Sequence, residues 1–293
     1  MSDLSAAEAA EFFRQPPQAL IDVGAGGVAY RRIGSGPDVL FVHGFPVSGA
    51  TWRGLLPELA PHVTCHVIDL PGAGASVFDR DSEISLRRHV ESIKRVVDEL
   101  GLSRVSVVGH DSGGLMARHA LAGDERLRSM VLINTEQSQG VSWRFRQFIL
   151  SATLPGFLPF LGWAVMRPTL RRNPFLLGDC FADRSLLDGE FEEFFLKPLH
   201  ESPEHLWAAG QLLETFDTGM IDELSALHAK TQAPVKLIWG DRDPFFPVAW
   251  AREMVATFPD ASLDEIAGAK LFPHEERPQE VAQAMLPTLL AGV

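Results

Sequence analysis

The chain has 293 residues, 46% of them hydrophobic and 22% charged, which is enough for a full core in one large α/β domain or two small ones. A formal net charge of −12 and an isoelectric point near 5.3 speak against nucleic-acid and anionic-membrane partners, which would repel it. Cys65 and Cys180 lie far apart without metal-ligand spacing and read as buried thiols of a reduced, cytoplasmic protein; no metal or cofactor is expected.

The opening "MSDLSAAEAAEFFRQPP" lacks the basic start and apolar run of a secretory signal, and no run of about 18 apolar residues spans a bilayer. Four short apolar runs follow in order, "VLFVHGF" (39–45), "VSVVGHD" (105–111), "SMVLINT" (129–135) and "VKLIWGD" (235–241). They are rich in β-branched residues, end in polar or turn residues, and read as buried strands. Between the first two, residues 85–100 place Leu86, Val90, Ile93, Val97 and Leu100 on one helical face. This alternation predicts a mostly parallel sheet flanked by helices, with function at the carboxyl ends of its strands.

From about 137 to 230 the strand pattern stops. That segment holds ten of the nineteen phenylalanines and three of the six tryptophans, broken by Pro and Gly. A helical insertion (137–230) in one α/β core (1–136 and 231–293) is the simplest organisation.

The most informative stretch is "VSVVGHDSGGLMARHAL" (105–121). A strand runs through Gly109-His110-Asp111-Ser112-Gly113 into a helical pattern. Small residues two before and two after Asp111 permit a sharp strand-to-helix turn that holds its carboxylate at the top of the sheet. Centring the turn on Ser112 would put His110 where a small residue is needed. A carboxylate so placed suits attack on an sp³ carbon, giving an enzyme ester that water must cleave.

The chain resembles the α/β-hydrolase fold superfamily over nearly its whole length, through "HGFP" (43–46), "DLPGAGAS" (69–76), the elbow, and "WGDRDPFFP" (239–247). An aspartate at the elbow together with HGFP resembles the epoxide hydrolase and haloalkane dehalogenase branch. The resemblance implies an α/β-hydrolase fold with a helical cap inserted after the sixth strand, and hydrolysis of a small apolar epoxide, halide or ester. Asp111 would be the nucleophile and Asp243 the orienting acid, with Glu136 the alternative acid. The backbone N–H groups of Phe45 and Ser112 would form the oxyanion hole. His43 and His110 flank that site, and Trp143 is a candidate halide donor. No nucleic acid or membrane is expected as a partner, and the protein would be a monomer or homodimer.

Three departures from the branch matter. The single tyrosine, Tyr30, is far from the insertion, so the branch's tyrosine proton donors are missing. Ser112 follows the nucleophile where dehalogenases place an indole. In "GAKLFPHEERP" (268–278) Leu271 stands where the branch keeps its catalytic histidine. His274, three residues on, is either a displaced base facing the cleft or a structural residue at a helix start. Without a base the chain would bind a ligand or catalyse a non-hydrolytic rearrangement.

Overall fold

The computed structural model describes residues 4–24 and 26–291. Eight strands, β1 (Ala19–Asp22), β2 (Gly27–Gly34), β3 (Asp38–Val42), β4 (Thr64–Asp69), β5 (Val105–His110), β6 (Leu127–Ile133), β7 (Val235–Gly240) and β8 (Ala261–Ile266), form one sheet. Its order is β1-β2-β4-β3-β5-β6-β7-β8. β1 and β2 pair antiparallel, as do β2 and β4, while the pairs from β4 through β3 to β8 are parallel.

Every residue of β5 is buried, as a central parallel strand covered on both faces requires. The helix Leu86–Glu99 buries Leu86, Val90, Ile93 and Val97 as its apolar stripe predicts, and packs on the helix Ser112–Leu121. The helix Pro278–Leu290 packs against β6 and β7.

All four predicted strands are present. The first stops at Val42, since His43 to Pro46 turn away from the sheet to form a loop. β1, β2, β4 and β8 carry no long apolar run. β2 holds Arg31, buried and paired with Asp69 on β4 at 3.3 Å. β8 is an edge strand whose residues are mostly half-exposed.

Between β6 and β7 the described residues form helices and turns, with one isolated bridge between Gln137 and Gly140. Phe181, Phe191 and Phe195 stack edge-on in sequence there, and Phe181 lies flat on Phe272 of the sheet domain with ring centroids 5.1 Å apart. The insertion is thus seated on the carboxyl end of the sheet by aromatic packing. No single described helix is long and apolar enough to cross a membrane.

Candidate active site

Asp111 joins β5 to the helix Ser112–Leu121 at φ 52° and ψ −138°, a positive φ that a non-glycine residue adopts only when its surroundings impose it. The surroundings are explicit. The Asp111 N–H donates to the Asn134 carbonyl at 3.0 Å, and its carbonyl accepts from Gly114 N–H at 2.8 Å and from the Thr135 hydroxyl at 2.7 Å. A Cβ on Gly113 would sit 2.3 Å from the Val42 carbonyl oxygen, and one on Gly44 would sit 2.5 Å from Asp111 Oδ2. Both positions therefore require glycine.

Oδ2 of Asp111 accepts the Phe45 backbone N–H at 2.8 Å and the Ser112 hydroxyl at 3.3 Å. Both of these bonds fall on Oδ2 and neither on Oδ1. Burial raises the acid to about 6, against the pull of the Ser112 and Phe45 backbone N–H groups.

Asp111, Ser112, Glu136 and Leu271 share a cavity of about 670 Å³, including its open mouth, whose walls are otherwise almost entirely apolar, with Phe145, Phe148, Ile149 and Phe245 prominent. Such a pocket favours an apolar ligand with a single polar reacting group.

Glu136, at the end of β6, is 1% exposed, and its Oε1 has no partner. Its Oε2 lies 2.9 Å from the Thr135 hydroxyl. That hydroxyl also lies 2.7 Å from the Asp111 carbonyl and 2.9 Å from Arg118 Nη2. A carbonyl only accepts, a guanidinium only donates, and a threonine has one proton to give. The one proton of Thr135 is therefore divided between two acceptors, the Asp111 carbonyl and Glu136 Oε2. Burial, then the Asp111 charge, push Glu136 up to about 8, against the pull of Arg118 and of the Thr135 hydroxyl. Asp111 and Glu136 are two buried carboxyls lining one apolar chamber, and the Asp111 charge raises the affinity of Glu136 for a proton.

Asp243 follows β7, but its oxygens are taken. Oδ1 accepts the Phe245 N–H at 2.7 Å and Oδ2 accepts the Asn134 amide at 2.7 Å, while Asn134 Oδ1 receives the Gly240 N–H at 2.9 Å. Burial still raises Asp243 to about 7. It does not line the cavity, and no histidine contacts it among the described residues.

His274 corrects the displaced-base expectation. The chain does become helical early, over Pro273–Glu276, yet the imidazole turns into the core and is fully buried. Its ring centroid lies 5.0 Å from that of Trp52 and 4.4 Å from that of His110. Thr51 Oγ1 is 2.8 Å from Nε2 and 2.9 Å from a Glu275 carboxylate oxygen. Thr51 gives its one proton to the carboxylate, so Nε2 donates to Thr51 and the basic nitrogen is Nδ1, which has no partner. Burial, then His110 and Arg53, hold its pKa well below the usual value. The neighbouring Leu271 side chain takes the cavity wall instead. Lys270 is no substitute, because its ammonium contacts Asp179 at 3.3 Å.

The remaining candidates divide. His43 is an internal brace: its Nε2 accepts the Leu70 N–H at 2.9 Å and its Nδ1 donates to the Gly44 carbonyl at 2.9 Å. His110 donates from Nε2 to the Leu271 carbonyl at 2.9 Å, tying the elbow strand to the segment that lacks the base. Trp143 is 74% exposed on the outside of the insertion, so it offers the cavity no indole; no tryptophan lines it. Asn134, Thr135 and Arg118 were not foreseen as site residues. The polar run Asn134-Thr135-Glu136-Gln137 at the end of an apolar strand was their visible signal.

A family model described as alpha/beta hydrolase fold matches residues 37–278, and the chain belongs to that family. Haloalkane dehalogenase 2 of Mycobacterium tuberculosis is 27% identical over 277 residues, covering 90% of this chain and 92% of that protein. The pimeloyl acyl-carrier-protein methyl ester esterase of Chromobacterium violaceum is 28% identical over 261 residues, covering 86% and 94%. Among solved structures, an epoxide hydrolase superposes with a TM-score of 0.75 at 21% identity, covering 94% of this chain and 98% of that one. A meta-cleavage product hydrolase from Pseudomonas fluorescens gives 0.76 at 19%, covering 93% and 97%. This is a hydrolase-fold protein whose relatives are hydrolases.

Two expectations follow from the geometry. His274→Phe removes a donor from Thr51 and is expected to lower stability by about 1 kcal/mol in urea titration, with reactivity at Asp111 unchanged. The three raised carboxyls bind protons more tightly folded than unfolded, where such groups titrate near about 4. The stability these three contribute is therefore fully present below about pH 4 and is lost as pH rises through the folded values of about 6, 7 and 8. Asp243→Asn should flatten that decline between pH 4 and 7, read as the thermal midpoint against pH.

Proposed function

We propose that this protein is a hydrolase for small apolar epoxides, with Asp111 as nucleophile and Glu136 as the proton carrier. The helical insertion, residues 137–230, is its cap over the core of 1–136 and 231–293. The observation that carries the reading is the carboxyl pair itself, Asp111 and Glu136 lining the same apolar cavity with the affinity of Glu136 for a proton raised.

In the first step Oδ1 of Asp111 attacks a ring carbon, the C–O bond of the epoxide breaks, and Glu136 delivers its proton to the departing oxygen. The product is a hydroxyalkyl ester with a Glu136 carboxylate beside it. In the second step that carboxylate takes a proton from water as it adds to the ester carbonyl. The resulting oxyanion is Oδ2, already held by the Phe45 N–H and close to the Ser112 N–H at the start of its helix. Collapse expels the alkoxide, Glu136 returns the proton to it, and Asp111 is left as an acid. Transfer of that proton to Glu136 restores the starting pair, so the cycle balances with water alone. The switch from acid to base is the logic of two-carboxylate glycosidases.

An epoxide is favoured over a halide because its oxygen needs a proton and a halide does not. The cavity offers a proton donor in Glu136 and no indole for a halide. The same assignment replaces both the missing tyrosines and the base absent at Leu271. The test is a single turnover of excess enzyme with an aliphatic 1,2-epoxide in heavy-oxygen water. The diol should carry ordinary oxygen and Asp111 the heavy isotope, located by peptide mass spectrometry. Label in the diol from the first turnover would mean direct attack by water and overturn the ester mechanism.

A further inference from the structure

The insertion carries a surface that the chemistry above does not use. Residues 137–178 contain five arginines and no acid. At the chain's average frequency of acidic residues, 38 in 293, a stretch of that length would hold about five. The same stretch holds six large apolar side chains on the surface: Trp143 at 74%, Leu150 at 59%, Leu154 at 61%, Phe160 at 47%, Trp163 at 45% and Phe175 at 69% exposed.

These residues are arranged, not scattered. The helix Trp143–Ala152 presents Trp143, Arg146 and Leu150 along one outer stripe that continues to Leu154. The next helix, Phe157–Ala164, turns away at 106° and shows Phe160 and Trp163, with ring centroids 6.0 Å apart. Arg167 lies 3.6 Å above the Trp163 ring. Arg144, Arg171 and Arg172 are paired with Asp179, Asp188 and Glu192. Arg146 and Arg167 have no acidic partner among the described residues. Exposed tryptophan, phenylalanine and leucine beside unpaired arginine are the composition of a face that lies in the headgroup region of a bilayer.

The geometry points to a docking face, built on Trp143, Leu150, Leu154, Phe160 and Trp163 with Arg146 and Arg167, that seats the protein on an anionic lipid surface. The net charge of −12 does not oppose this, because a membrane meets the local face and charges beyond about 8 Å are screened at physiological salt. Neither helix alone is long enough to cross, and the pair is bent by 106°; the seating proposed is peripheral. The inner side of the same helix, through Phe145, Phe148 and Ile149, lines the reactive cavity. A lipid-dissolved apolar molecule would thus have one helix between its reservoir and Asp111. The inference stands whether or not Asp111 reacts with epoxides.

The test is cosedimentation of the full chain with vesicles of phosphatidylcholine alone or mixed with phosphatidylglycerol. Binding is expected to be roughly tenfold tighter on the anionic vesicles and to weaken with salt. Trp143→Ser/Leu150→Ser/Phe160→Ser should reduce it at least tenfold, with the circular-dichroism melt unchanged because all three side chains are exposed. Arg146→Glu/Arg167→Glu should remove the preference for phosphatidylglycerol. Absence of binding to both vesicles, or equal binding by the triple variant, overturns the docking face. Equal binding to both lipids overturns the anionic assignment. A wild-type dimer that becomes monomeric in the triple variant, by light scattering, assigns the face to a second copy of the chain instead.

Discussion

Asp111→Asn is expected to abolish formation of the covalent ester on the peptide containing residue 111, with no adduct in intact-protein mass spectrometry after exposure to a 1,2-epoxide. The loss at that peptide is expected to be complete, because a neutral amide oxygen is a far weaker nucleophile than a carboxylate. Folding should survive, since asparagine matches aspartate in shape and the same surrounding contacts impose φ 52° and ψ −138° on either residue. The variant should melt at a higher temperature than the parent at pH 8. There the parent keeps a charge whose pKa burial has raised to about 6, and the asparagine has no charge to desolvate. An apolar ligand should bind it as before, because the walls of the cavity are untouched. An adduct that persists on the asparagine variant would place the nucleophile elsewhere.

Glu136→Gln is expected to slow ester formation by roughly 10²–10⁴ and to leave whatever ester forms uncleaved. A glutamine can donate a hydrogen bond but can neither release nor accept a proton, so both halves of the cycle lose their carrier. The intact-mass spectrum should then show a slowly growing adduct that does not decay. In the parent, turnover needs Asp111 ionised and the pair still holding one proton. The pH profile should therefore be a bell between about 6 and about 8, with both limbs belonging to the pair. Asp111 from the elbow and Arg118 from the adjoining helix are the charges that act on Glu136, and Asp111 also acts on Asp243 in the β7 turn. The rate of ester formation in the glutamine variant should lose the alkaline limb. A variant that turns over at the parental rate would remove Glu136 from the chemistry and leave only Asp111 to explain. The two substitutions fail independently, because one reads whether the ester forms and the other whether it is released.

Much of the architecture was legible before any coordinates. Four apolar, β-branched runs marked strands that are buried on both faces, where the physics demands an uninterrupted apolar sequence. The strands that escaped, β1, β2, β4 and β8, lie toward the two ends of the sheet order. There the chain mixes polarities, and buried charge such as Arg31 with Asp69 hides the pattern. The elbow was legible for a steric reason. Gly109, Gly113 and the strand-to-helix switch are local requirements of one sharp turn, so residues within five positions of each other record it.

What the chain alone determined, then, was the fold, the elbow with a carboxylate at its centre, and the presence of leucine where an imidazole was expected. Only the tertiary structure decided what each remaining side chain faces. His274 is three residues from Leu271, yet its ring bonds Thr51, 223 positions away. Asp243 is clamped by Asn134, 109 positions away, and Trp143 points outward although Phe145, two residues on, lines the cavity. The raised proton affinity of Glu136 depends on its burial and on the charge of Asp111 brought beside it from the elbow. Local sterics are written in neighbouring residues; the direction of a side chain and the ownership of a proton depend on groups that meet only when distant segments pack together.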